Sequence, residues 1–162
     1  MKRYFDTINK LMTLQYHADL WVGTPFMPNA AIKGAGVSCQ KLVGRIYIET
    51  GFLPKNFVIP EAPMDWSNAH TDSMLEKFME GRPEFFLTPD VLRPAPGDLI
   101  GIQIGGCVHH CGIVLNAEGV FIHCLRSRGV IISNVRDATY MQRIRKIWRP
   151  ICQAEVRQEV AP

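Results

Sequence analysis

The amino-acid sequence predicts an α+β fold, with helices in the first half of the chain and an antiparallel sheet in the second. Apolar residues recur at helical spacing up to about residue 80, whereas later apolar residues fall in short strand-like runs. The proline-rich segment 94–98 marks the change between the two halves. Segregation of helices from strands in this way is typical of the α+β class.

Two helices are predicted before residue 51. The first covers residues 4–22 and ends at the Gly-Thr-Pro turn of residues 23–25. A glycine-rich loop then leads to a second helix over residues 39–50. Ser38 is a suitable N-cap for this helix, and it places Cys39 in the first turn.

The chain between the second helix and the sheet is predicted to be largely irregular, because residues 54–70 are rich in proline. Ser73 and Glu76 have the spacing of a capping box, which starts a short helix that ends near Glu80. Five strands with short connections follow, at residues 99–104, 108–115, 120–125, 129–135 and 143–148. Short connections favour antiparallel pairing of consecutive strands.

Length and composition indicate one globular domain, residues 1–162. The hydrophobic content of 47% and the charged content of 20% are ordinary values for such a protein. The net charge of +3 is too small to indicate a nucleic-acid partner, but it is compatible with a carboxylate-rich peptide as substrate. The basic residues Arg143, Arg145 and Lys146 lie on one predicted strand and are typical of a solvated face.

The cysteine count and the N-terminus bear on the cellular compartment. Five cysteines are an odd number, so they cannot all pair within one chain, and synthesis in a reducing compartment is the simpler expectation. The first ten residues lack the apolar core of a secretory signal, and no apolar run is long enough to span a membrane. We therefore expect synthesis in the cytoplasm without a signal peptide.

Cys39, His110 and His123 are the candidate catalytic residues. The partial positive charge and exposed N–H groups at a helix N-terminus stabilise a thiolate, and the same N–H groups can bind an oxyanion. A neighbouring imidazole takes the thiol proton and later gives it to the leaving amine, while a second polar group orients that imidazole. The three residues match these roles in that order, and the chemistry requires no metal or organic cofactor.

Strand alternation permits the two histidines to meet. One register across the turn at residues 116–119 pairs Leu115 with Val120. In that register Gly112 faces His123, and His110 is the diagonal neighbour of His123 on the same face. A one-residue bulge in the turn would place the histidines on opposite faces. The sequence is compatible with both arrangements.

Other interpretations of these residues are open. A cysteine beside an amphipathic helix is often an inert buried residue, and a single histidine is often structural. The segment 107–111, together with His123 and Cys124, also contains enough ligands for a zinc site. Strand alternation weakens the zinc interpretation because it divides the ligands of 107–111 between two faces. No metal site is therefore predicted.

A series of short motifs between about Leu20 and Pro150 resembles the NlpC-type cell-wall endopeptidases. Its members are Trp21-Val-Gly-Thr-Pro-Phe26, Gly34-Ala-Gly-Val-Ser-Cys39, Leu42-Val43, Gly51-Phe-Leu-Pro54, Pro96-Gly-Asp-Leu99, His110-Cys-Gly-Ile-Val114, Phe121-Ile-His123 and Gly129-Val130. The order and spacing of the series are specific, whereas no single motif is. The opening motif, followed by Lys33-Gly-Ala-Gly36, is most similar to the bacteriophage tail-associated branch of that family.

The resemblance implies a papain-like fold, in which N-terminal helices, including the nucleophile helix, pack on an antiparallel sheet of about five to six strands. It implies a cysteine peptidase with Cys39 as nucleophile, His110 as base and His123 as the third polar residue. The implied substrate is the peptidoglycan stem peptide, typically cleaved between γ-D-glutamyl and a diamino acid. Phage tail proteins are the implied partners, with a virion- or wall-associated location.

Four residues near the nucleophile are candidates for substrate binding: Phe26, Ser38, Lys41 and Arg126. The family usually has Asp-Cys-Ser-Gly at the nucleophile, whereas this chain has Ser-Cys-Gln-Lys, which reshapes the rim of the pocket and adds a cation. Phe26 replaces an aromatic hydroxyl of the opening motif, and Arg126 is suited to substrate carboxylates or to a solvated loop. A related thiol amidase or acyltransferase, and a non-catalytic phage-structural or wall-binding module, are the alternative functions.

Overall fold

Residues 1–153 are described by the computed structural model, so residues 154–162 of the predicted domain lie outside the described part. The described part contains helices α1 (Ile8–Trp21), α2 (Cys39–Glu49), α3 (Trp66–Ala69), α4 (Met74–Met79) and α5 (Ala138–Met141). The predicted helices at 39–50 and 73–80 are present as α2 and α4. Helix α1 begins later than predicted because the side chain of Thr7 caps it, accepting a hydrogen bond from the Lys10 N–H.

The strands are β1 (Ala31–Ile32), β2 (Gly36–Val37), β3 (Phe85–Leu87), β4 (Leu99–Ile104), β5 (Cys107–Val114), β6 (Val120–Leu125), β7 (Gly129–Asn134) and β8 (Ile144–Pro150). Six of them form one antiparallel sheet in the order β3-β8-β4-β5-β6-β7. The five predicted strands are β4 to β8. The prediction of an α+β fold with a sheet of about five to six strands is confirmed.

Strand β3 and the small β1–β2 hairpin were not predicted. Strand β3 is only three residues long, and it becomes a strand by pairing along the outer edge of β8. The β1–β2 hairpin has two residues in each strand and lies in the glycine-rich loop before α2. Segments this short carry too few residues for an alternating pattern to be recognised.

The register of β5 and β6 is the one that brings the histidines together. Gly112 pairs with His123, and the Leu115 N–H donates to the Val120 carbonyl at 2.7 Å. The turn therefore has no extra residue that would shift the strands. Gly112 also has a packing role, because a Cβ atom there would lie 2.7 Å from the Ile122 carbonyl oxygen and 3.2 Å from the Cβ of His123.

A bulge lies on β5 directly before His110. Ile102 of β4 pairs with His110, but the next residue, Gln103, pairs with Val108, so His109 has no partner of its own on β4. A bulge of this kind bends the strand and interrupts the alternation of side chains. As a result, His109 and His110 line the same cavity although they are adjacent in sequence.

Helix α2 packs against β5 and β6, and its buried side chains are part of the hydrophobic core. Its residues Leu42, Ile46 and Tyr47 are buried in one cluster with Ile113 and Ile122 of the two strands. This packing holds Cys39, the first residue of α2, beside the sheet. No helix within residues 1–153 combines the length and the apolar character that crossing a membrane requires.

A buried ion pair joins Asp98, the residue before β4, to Arg149 on the neighbouring strand β8. The carboxylate of Asp98 is fully buried and accepts hydrogen bonds from Nε and Nη2 of Arg149 at 2.9 and 2.7 Å. It also accepts the N–H of Ala95 at 2.7 Å. The bonds to Asp98 raise the pKa of Arg149 above its ordinary value. Every oxygen of this carboxylate is therefore paired, as burial of a charge requires.

Candidate active site

Cys39 lies at the N-terminal end of α2, where the first backbone N–H groups of the helix have no partner within the helix. Ser38 occupies the N-cap position, as predicted, with extended backbone angles (φ −99°, ψ 166°). Its side chain makes no capping hydrogen bond, and its hydroxyl is buried without a partner among residues 1–153. Cys39 itself is partly exposed.

The environment of Cys39 favours the thiolate. A side-chain hydrogen bond with Cys111 is the main cause that lowers the pKa of Cys39 well below its ordinary value. Burial opposes it, while a hydrogen bond and the positive charge of His110, with a smaller contribution from His109, lower the pKa further. The bond with Cys39 also raises the pKa of Cys111, so Cys39 is the more acidic of the two thiols.

His110 and His123 form a hydrogen-bonded pair, with His110 Nε2 and His123 Nδ1 2.8 Å apart. Their ring centroids are 5.1 Å apart at an interplanar angle of 61°. His123 is completely buried, and burial, followed by the charges of His110 and Arg128, lowers its pKa to about 3. His123 is therefore neutral near pH 7 and supplies one donor and one acceptor.

Ser133 and Tyr140 complete the surroundings of His123, and neither was among the predicted site residues. His123 Nε2 lies 2.9 Å from Ser133 Oγ and 3.5 Å from the Tyr140 hydroxyl. Ser133 could have been found by extending the alternation argument by one strand. It lies on β7, pairs with Phe121 of β6 and is therefore diagonal to His123. Tyr140 lies on the short helix α5, for which the sequence carried no signal.

The hydrogen bonds define a consistent set of tautomers. His110 uses Nε2 for His123, which leaves Nδ1 for Cys39. A neutral His110 that accepts the thiol proton at Nδ1 carries its own hydrogen on Nε2 and donates it to His123 Nδ1. His123 then carries its hydrogen on Nε2 and donates it to Ser133. This series of hydrogen bonds keeps Nδ1 of His110 free to accept a proton and stabilises the imidazolium that results.

A cavity of about 920 Å³ begins at Cys39 and is bounded by α2, α4 and the chain between them. Cys39, His110, Phe26, Ser38 and Arg126 all line this cavity. His123 does not line it, because it lies behind His110. The structure therefore gathers five of the seven predicted site residues around one space, with His123 supporting them from the sheet.

Lys41 is the predicted substrate-binding residue that the structure places elsewhere. It does not line the cavity, and its Nζ donates to the Ile59 carbonyl at 2.8 Å. Ile59 belongs to residues 57–65, which have no helix or strand and which we call the strap. The role of Lys41 in the structure is therefore to hold the strap on α2.

The strap lines the cavity along most of its length and is held by side chains of other segments. The Asn29 side chain accepts the Ala62 N–H at 3.0 Å and donates to the Ala62 carbonyl at 3.4 Å. Arg126 donates to the Met64 carbonyl and pairs with Asp65, both at 3.1 Å. Asn29 also accepts a 2.9 Å bond from Gln40, the residue that follows the nucleophile.

The described residues contain no group of three or more His, Cys, Asp and Glu side chains arranged to hold a metal ion. His109, one of the ligands weighed in the zinc interpretation, instead donates to the Met64 carbonyl from Nε2 at 3.3 Å. Cys39, His110 and His123 have the chemistry needed for a thiol nucleophile, a base and an orienting partner, and they lie next to a cavity large enough for a small molecule.

Comparison with solved structures identifies the fold. The chain is similar to a lipoprotein-like protein of the NLP/P60 family from Staphylococcus aureus (TM-score 0.62, 15% identity, 94% of this chain and 45% of that chain). It is similar to the NlpC/p60 domain of the peptidoglycan hydrolase SagA (TM-score 0.54, 15% identity, 85% and 96%). A third neighbour is an NlpC/P60 family protein from Bacillus cereus (TM-score 0.53, 19% identity, 88% and 40%).

These likenesses show that the fold is the papain-like fold of NlpC/P60 domains, as predicted. The chain spans less than half the length of the Staphylococcus and Bacillus proteins, and nearly all of the SagA domain. No family model matches the sequence. No curated protein matches it either.

Proposed function

We propose that the protein is a cysteine peptidase that hydrolyses amide bonds in peptidoglycan stem peptides, at the bond between γ-D-glutamyl and a diamino acid. The observation that carries this proposal is the Cys39 thiol at the start of α2, next to His110, which in turn bonds His123 at 2.8 Å. The papain-like fold, shared with a domain of a peptidoglycan hydrolase, supports the choice of substrate.

Catalysis would begin with attack of the Cys39 thiolate on the amide carbonyl, with the thiol proton held by His110. The free N–H groups at the start of α2 would bind the oxyanion of the tetrahedral intermediate. His110 would then protonate the leaving amine, and an acyl-enzyme would remain on Cys39. Water, activated by His110, would hydrolyse this thioester and regenerate the thiol.

Mass spectrometry of digested peptidoglycan tests the proposal. Purified sacculi are incubated with the wild-type protein, with Cys39→Ala and with Cys152→Ala, which removes another partly exposed thiol as a matched control. We expect new stem-peptide fragments from the wild type and Cys152→Ala only. Absence of fragments from all three proteins would refute the peptidase proposal, and equal fragments from Cys39→Ala would refute the nucleophile.

A phage-tail or wall-associated role is part of the same proposal and rests on the resemblance of the opening motifs. Cell fractionation with an antibody against the chain tests it. We expect the protein in particles or bound to isolated walls, and retention of all the protein in the cytoplasmic fraction would contradict this location.

A thiol hydrolase or acyltransferase for another acyl substrate is the second candidate function. The favouring observation is the cavity beside Cys39, which is lined mainly by apolar side chains between α2 and α4. A non-catalytic wall-binding or phage-structural module is the third. It predicts that Cys39→Ala retains full function and that Cys39 reacts with alkylating agents like an ordinary thiol.

A further inference from the structure

The cavity beside Cys39 has a polar end at the start of α2. Cys39, His110 and Ser38 meet there, and Ser38 is only 4% exposed. Its hydroxyl has no hydrogen-bond partner among the described residues. A buried hydroxyl without a partner is unfavourable, so a ligand oxygen at this point would satisfy it. The polar end is therefore suited to the carbonyl group of a substrate.

The other end of the cavity is apolar. It lies between α2 and α4, and its walls are Val43, Tyr47, Leu75, Phe78 and Phe85. The one polar atom among these side chains, the Tyr47 hydroxyl, already donates to the Gly97 carbonyl at 2.8 Å. This end can gain binding free energy only from a group with apolar surface.

Charged side chains occur only at the rim. Three thiols (Cys39, Cys111 and Cys124), two histidines and the hydrogen-bonded Tyr47 line the cavity, and its remaining titratable residues are Glu61, Asp65 and Arg126. All three are exposed, and Arg126 is paired with Asp65. A carboxylate moved into the apolar end would lose its hydration without gaining a partner. The apolar end of the cavity therefore selects an uncharged chain, and a carboxylate would be held at the polar end.

We propose that the protein also hydrolyses esters of medium-length fatty acids, with the carbonyl at Cys39 and the hydrocarbon chain between α2 and α4. This activity goes beyond peptidoglycan cleavage but rests on the proposed function in one respect, the use of Cys39 as nucleophile. The volume of about 920 Å³ lies within the range of small-molecule sites.

The chemical step is acyl transfer to the thiol followed by hydrolysis. The Cys39 sulfur forms a bond to the acyl carbon, the ester C–O bond breaks, and His110 returns its proton to the leaving alcohol. Water then attacks the thioester, the C–S bond breaks, and the fatty acid and the free thiol are released. No oxidant, reductant or cofactor takes part.

Esters of increasing chain length test the proposal with the wild-type protein. kcat/KM is measured for p-nitrophenyl acetate, butyrate and octanoate, with Cys39→Ala as the control for hydrolysis elsewhere. We expect kcat/KM to rise with chain length, by up to roughly fourfold for each methylene that enters the cavity. A value that stays constant or falls from acetate to octanoate would overturn the proposal.

A variant that fills the apolar end of the cavity tests whether the hydrocarbon chain of the ester binds there. Leu75 is partly buried in the apolar wall, whereas Leu92 is 81% exposed and lies outside the cavity. In Leu75→Trp we expect the octanoate-to-acetate ratio of kcat/KM to fall at least about tenfold, since several methylenes lose their site. Leu92→Trp should retain the wild-type ratio. An unchanged ratio in a folded Leu75→Trp protein would refute the placement.

Measuring ligand binding to a protein that cannot catalyse separates the fatty-acyl site from the peptidase function. This test remains decisive if Leu75→Trp does not fold. Calorimetric titration of Cys39→Ala with octanoate and with acetate should show binding of octanoate alone. Octanoate binding with a chain-length preference, but no cleavage of peptidoglycan, would support the fatty-acyl site and refute the peptidase. Cleavage of peptidoglycan without octanoate binding would refute the fatty-acyl site and leave the peptidase standing.

Discussion

Ser133 sets the tautomer of the histidine pair, and Ser133→Ala therefore should weaken the nucleophile from a distance. The variant removes the 2.9 Å partner of the buried His123 Nε2 and leaves only the Tyr140 hydroxyl at 3.5 Å. An unsatisfied buried donor costs about 1–3 kcal/mol. His123 would then favour a hydrogen on Nδ1, which opposes the Nε2 hydrogen of a protonated His110.

The expected result is a higher pKa for Cys39. Because one pKa unit corresponds to about 1.36 kcal/mol, the loss of His110 imidazolium stabilisation should raise the apparent pKa of Cys39 by about one to two units. The assay is the rate of alkylation by iodoacetamide as a function of pH, followed by peptide mass spectrometry at Cys39. This measurement needs no knowledge of the substrate.

Two controls accompany the alkylation profile. Ser133→Thr retains a hydroxyl on a strand position that suits a β-branched residue, so it should keep the wild-type profile. Thermal unfolding of each variant shows whether the fold is retained. A Ser133→Ala protein that is folded and has the wild-type Cys39 profile would refute the proposed hydrogen-bond chain.

Three further predictions concern stability. Folding lowers the pKa of His123 from 6.5 to about 3, so between these pH values the unfolded state binds more protons than the folded state. The free energy of unfolding should therefore fall as pH decreases through this range, by about 1.4 kcal/mol per pH unit from this group. Urea titrations at several pH values measure this fall. Asp98→Asn leaves the Arg149 guanidinium without its charged partner and should lower the free energy of unfolding by about 3–5 kcal/mol, whereas the exposed control Asp90→Asn should change it by less than about 1 kcal/mol. Asn29→Ala removes both bonds to the strap and should increase its rate of limited proteolysis; a wild-type cleavage rate would show that the other anchors suffice.

The sequence predicted the positions of Cys39, His110 and His123 better than the contacts around them. Ser38 and Cys39 could be placed at a helix start because capping and helical periodicity depend on residues close in sequence. The meeting of His110 and His123 could be tested by alternation because the turn between their strands is short. The bulge at His109 could not be found in this way, since it arises from pairing with β4.

The sequence by itself determined helices α1, α2 and α4, strands β4 to β8 and the position of the thiol, and it permitted the register that joins the two histidines. Only the tertiary structure decided that Cys111 lowers the pKa of Cys39, that Ser133 orients His123, and that Lys41 holds the strap instead of lining the cavity. The physical reason is the range of the interactions. Periodicity, caps and short turns act between near neighbours, whereas these contacts join segments that meet only after α2 has packed on the sheet.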